Sequence, residues 1–127
     1  YGELRREGLD CERNNRLNPS DARQIPYVEQ LLGDGTYPTI AVSDNQIAVP
    51  DMIRQWVGGD YSVLGTDGFG RSDTRPNLRK FFEIDAQNIT IAALSSLVRS
   101  KEIESDVFDK AMKSLGISRD RNDITAL

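Results

Sequence analysis

The chain contains no histidine. That removes the commonest general base, the commonest metal ligand, and the base of every Ser-His or Cys-His nucleophile pair. It has one cysteine, Cys11, so no internal disulfide can form, which fits a reducing compartment. No run of about eighteen apolar residues occurs, so no membrane-spanning helix is expected, and no signal peptide is visible. Internal repeats and low-complexity segments are also missing. Positive charge is in deficit, with 16 basic against 20 acidic side chains and a net charge of −4. A surface of that sign repels phosphate backbones and anionic lipid, so neither nucleic acid nor membrane is an expected partner.

What is present suits one soluble domain: 127 residues, 38% hydrophobic and 28% charged. The first residues, Tyr1-Gly2-Glu3-Leu4-Arg5, lack Met and open directly into a charged, helix-like run. They read as the start of a piece of something longer. Leu, Arg and Glu make residues 3–14 a helix, with Leu4 and Cys11 on a thin apolar face. Asn18-Pro19-Ser20 breaks it. Pro26 opens a short helix through Leu32, with Val28, Leu31 and Leu32 on one face and Gly33 as its stop. Thr39-Ile40-Ala41-Val42-Ser43 and Tyr61-Ser62-Val63-Leu64-Gly65 are short apolar runs, expected to be strands buried on both faces of a parallel sheet. A helix from Pro50 to Val57 lies between them, with Ile53, Trp56 and Val57 on its buried side. Strand, helix, strand at this spacing is a right-handed βαβ unit. Further helices follow over 74–82, after the cap Asp85, and from the cap Ser105 to the stop Gly116. The tail from Ser118 is polar.

Two buried parallel strands leave apolar faces and open borders. Either helices cover both borders, or further strands come from polypeptide outside these residues. The unusual opening favours the second.

Few residues suggest chemistry. Asp44 and Asp67 each follow the carboxyl end of a strand, the rim where open parallel sheets bind ligands. Two carboxylates there could hold magnesium, giving a small metal-dependent enzyme, or share a proton. The competing and favoured role is structural: each fixes a turn or caps a helix through backbone N–H groups. Gly65-Thr66-Asp67-Gly68-Phe69-Gly70-Arg71-Ser72 is a glycine-rich strand-to-helix loop that could cradle phosphate, as a freestanding anion- or nucleotide-binding module would. Its glycine order is neither the dinucleotide nor the P-loop pattern, and Asp67 and Asp73 oppose an anion. Arg71, Arg75, Arg79 and Lys80 form a basic patch that could grip a carboxylate, a phosphate or an acidic partner surface; the commoner role is a solvated face paired with Asp73, Glu83 and Asp85. Cys11 reads as a small packed hydrophobe. No catalytic, cofactor-binding or metal-binding residue is assigned.

A longer pattern carries a resemblance. Gly8-Leu9-Asp10-Cys11-Glu12-Arg13, Asn18-Pro19, Ile25-Pro26-Tyr27-Val28, Ala41-Val42-Ser43-Asp44, then Leu64 through Asp73, Thr74-Arg75, Asn77-Leu78-Arg79 and Phe82-Glu83-Ile84-Asp85 follow one another. In that order and spacing the chain resembles the C-terminal domain of homodimeric bacterial pyruvate dehydrogenases, a transketolase-like family. The resemblance implies an α/β fold: a truncated three-layer domain with a small, mostly parallel sheet flanked by helices, residues 1–127 lacking an upstream strand–helix–strand. It implies a cytoplasmic parent subunit that uses thiamine diphosphate and magnesium to decarboxylate pyruvate and acetylate lipoyl groups, linking glycolysis to acetyl-CoA. The implied partners are the remaining domains of the same subunit, the homodimer partner, and dihydrolipoamide acetyltransferase. Cofactor and metal ligands in that family lie in the two preceding domains, and none maps onto a residue here. The implied role of this piece is assembly and dimer support, without activity of its own.

Overall fold

The computed structural model describes residues 1–67 and 74–120. Helix α1 runs Gly2–Leu17, α2 Tyr27–Leu32, strand β1 Thr39–Val42, α3 Ala48–Asp51, β2 Tyr61–Leu64, α4 Arg75–Phe81, α5 Ala86–Arg99 and α6 Ser105–Leu115. The two strands pair in parallel, Thr39 opposite Tyr61 and Val42 opposite Leu64. This is a small α/β fold with helices flanking a parallel sheet, as the residue pattern and the resemblance both implied.

The core forms where the β1–β2 crossover meets α1. Val28, Ile53, Trp56 and Tyr61 are buried together, with Leu4, Ala41, Val57 and Val63 packed against them. Ala41 and Val63 are opposed in register, so one face of the sheet looks into this cluster. α5 lies against β1, and α6 packs on α5. Gly8 lets α1 sit flush on the indole: a Cβ there would stand 2.5 Å from Trp56 Cζ2.

The crossover differs from expectation. In place of one helix over 50–57, α3 starts two residues before Pro50, and a separate 3₁₀ turn spans Arg54–Trp56. Pro50 remains in the first turn, where a missing N–H costs nothing. The break lies at Ile53, whose φ is −105°. Tighter winding stacks side chains three apart. Ile53 and Trp56 consequently both point inward, each only 3% exposed. Tyr61 secures the turn from the sheet side. Its hydroxyl donates to the Pro50 carbonyl at 2.7 Å, while Arg54 stacks over its ring and donates Nη1 to its carbonyl at 2.7 Å.

Three further expectations are corrected. The strands are half-buried, and Val42 is exposed; their apolar runs predict more cover than two strands and these helices provide. Helix α2 buries Val28 but exposes Leu31 and Leu32, because six residues present only one turn to the core. Ser105 is not a cap: Glu104 precedes the helix in extended conformation, and no side chain caps α6. Asp85 does cap α5, accepting from the Asn88 N–H at 3.0 Å.

Helices α4, α5 and α6 end alike. The N–H of Ile84, Glu102 and Ile117 each reaches back to a carbonyl five residues earlier: Arg79, Leu97 and Met112. This closure needs a left-handed residue just before the donor. Gly116 fills that place in α6 with φ 68°, but Glu83 and Lys101 fill it in α4 and α5 with φ 60° and 62°. A side chain with a Cβ is disfavoured there. Lys101→Gly should therefore raise stability by about 1 kcal/mol, and Gly116→Ala should lower it by about 1 kcal/mol. Urea denaturation followed by circular dichroism checks both, and a Gly116→Ala protein as stable as the parent would contradict the account.

Candidate functional site

The rim at the carboxyl ends of β1 and β2 is the place where this fold could present chemistry. The residues there are bound to one another. Ser43 N–H donates to the Leu64 carbonyl at 3.0 Å and extends the ladder by one rung. The Ser43 hydroxyl then accepts from the Asn45 N–H at 3.0 Å. Thr66 ties the two loops twice, its hydroxyl donating to the Asp44 carbonyl at 2.6 Å and its N–H to the Asn45 carbonyl at 3.0 Å. Asp67 reaches across to accept from the Ile47 N–H at 2.7 Å, just ahead of α3. Gly65 is required by this crossing, since a Cβ there would lie 2.8 Å from the Asn45 carbonyl oxygen.

Asp67 thus takes the turn-fixing role that was favoured on chemical grounds. Asp44 contributes its backbone carbonyl, and its side chain is exposed. Among the described residues, no group of three or more Cys, Asp or Glu could hold a metal ion. Gly68, Phe69, Gly70, Arg71, Ser72 and Asp73 lie outside the described residues. Arg75 and Arg79 are exposed on α4, one turn apart.

Two carboxylates not singled out from the sequence organise more of the structure than this pair. Glu7 accepts from the Tyr27 N–H at 3.0 Å with one oxygen and from the Cys11 thiol at 3.1 Å with the other. It joins α1 to the start of α2, whose free N–H groups favour a negative charge. Burial, then the hydrogen bond to Glu7 and its charge, push the Cys11 thiol up from 9.0 to about 11. Asp60 accepts from the Ser96 hydroxyl and from Arg99 Nη2 on a single oxygen, both at 2.6 Å. Those bonds, Ser96 first and Arg99 second, hold its carboxyl below the usual aspartate range. The Glu7–Cys11 pair was legible in principle as neighbours four apart on a helix. The Asp60–Ser96 bond spans 36 residues and left no local signal.

A concavity adjoins the sheet, an open hollow of about 440 Å³ lined by Tyr1, Leu4, Leu32, Thr39, Ile40, Ala41, Ile53 and Tyr61. Its lining is mostly apolar, with hydroxyl groups from Tyr1, Thr39 and Tyr61 among the lining residues. It suits apolar side chains better than a charged substrate.

A small parallel sheet between helices, with strand-end loops laced to each other, defines a small α/β domain. Comparison places it: residues 13–85 match the model of the transketolase-like TK C-terminal domain, and the chain belongs to that family. More particularly, it is similar to proteins named pyruvate dehydrogenase E1 component. That of Mycolicibacterium smegmatis is 44% identical over 92% of this chain and 13% of the relative. That of Haemophilus influenzae is 44% identical over 95% of this chain and 14% of the relative, and that of Escherichia coli K12 is 42% identical over the same shares. The chain therefore spans about one seventh of the length of these relatives. No helix among the described residues is long and apolar enough to cross a membrane.

Two outcomes follow. Asp67→Ala should cost about 1 kcal/mol, the worth of one hydrogen bond, while Asp44→Ala stays within about 0.5 kcal/mol of the parent. Denaturation curves for the two variants decide this, and equal losses would contradict the assigned roles. For Cys11 the folded pKa is raised, so the buried neutral thiol stabilises the fold below its usual 9.0, and that contribution is lost as pH rises through about 11. At pH 8 a thiol-specific reagent should label the native protein far more slowly than the urea-unfolded one; equal rates would refute the burial argument.

Proposed function

We propose that this chain is the C-terminal part of a pyruvate dehydrogenase E1 subunit, and that its work there is assembly and support of the dimer. The observation that carries this reading is the match to E1 components over more than nine tenths of the chain and only about one seventh of theirs. On this reading the parent is a cytoplasmic homodimer. It uses thiamine diphosphate and magnesium to decarboxylate pyruvate and to acetylate lipoyl groups on dihydrolipoamide acetyltransferase. The groups that hold cofactor and metal then belong to the other domains, and the chain alone is inactive. The knit strand-end loops support this: Thr66 and Asp67 are engaged in holding backbone.

The same reading makes residues 1–127 a partial domain whose sheet is extended by an upstream strand–helix–strand. The half-buried strands and the apolar hollow beside Thr39, Ile40 and Ala41 support it. A completed sheet would lower the exposure of Val42, now 37%.

Isothermal titration calorimetry tests the inactive role. Thiamine diphosphate with magnesium should give no saturable heat with the chain alone, and pyruvate should not be decarboxylated; micromolar binding would overturn the proposal. Hydrogen exchange tests the partial domain. Thr39 and Ser43 direct their N–H groups to β2, so the intervening pattern turns those of Ile40 and Val42 the other way. In the full-length subunit the Ile40 and Val42 amides should exchange at least about tenfold more slowly than in the chain alone. Unchanged rates at both would argue against a strand added at that border.

A further inference from the structure

We draw no further inference here: the strongest candidate, the exposed apolar side chains of Tyr27 and Leu31 on α2 and of Tyr37 in the loop after it, is an unpartnered surface, and nothing in the structure shows what covers it.

Discussion

The indole of Trp56 sits where α1, α2, the crossover and β2 meet. It is 3% exposed, seated beneath Gly8 of α1 and grouped with Val28 of α2, Ile53 of the crossover and Tyr61 of β2. An aromatic ring of this size contributes more buried apolar area than any other residue type can. The contact holds only because α1 offers no Cβ at position 8. It also has a cost, since the indole N–H is buried and finds no acceptor among the described residues. Leaving such a donor unpaired forfeits about 1–3 kcal/mol. The packing of the ring outweighs that loss, and with it the sheet, the crossover and both N-terminal helices gain a common centre.

Around that centre, most local signals proved reliable, the Ser105 cap excepted, and longer-range ones did not. The two strands, the Asp85 cap and the Gly116 stop could all be read from the residues, because each is decided within a few positions. The crossover could not. Ile53 and Trp56 are three apart, a spacing that fits an α-helical face as well as a 3₁₀ turn, and the tighter winding is held from the sheet side by Tyr61, which bonds to Pro50 and to Arg54 of the turn. The left-handed residues Glu83 and Lys101 were equally invisible. Nothing in their side chains announces the conformation, which is imposed by the closing hydrogen bonds behind them. The exposure of the strands was misjudged for a different reason. Composition reports what a strand is built to bury, not which neighbours are there to bury it.

The strand-end rim follows the same logic. Asp44 and Asp67 could be picked out as carboxylates at the position where such folds often bind ligands, yet their types alone left metal binding and turn fixing both open. Geometry separates them: one carboxylate faces a backbone N–H, and the other residue lends its carbonyl. Glycine at position 65 has a plain reason too. Two loops pass so close that a methyl group would not fit. A glycine-rich stretch in a strand-to-helix loop therefore signals crowding at least as readily as it signals phosphate.

Asp60 sits at a junction of another kind. Its carboxylate holds Ser96 and Arg99 of α5, and its carbonyl receives the Thr39 N–H, the first rung of the β1–β2 ladder. One residue thereby ties the helical hairpin to the sheet, alongside the packing of α5 on β1. A load arriving through α6 would pass along α5 into the opening rung of the ladder.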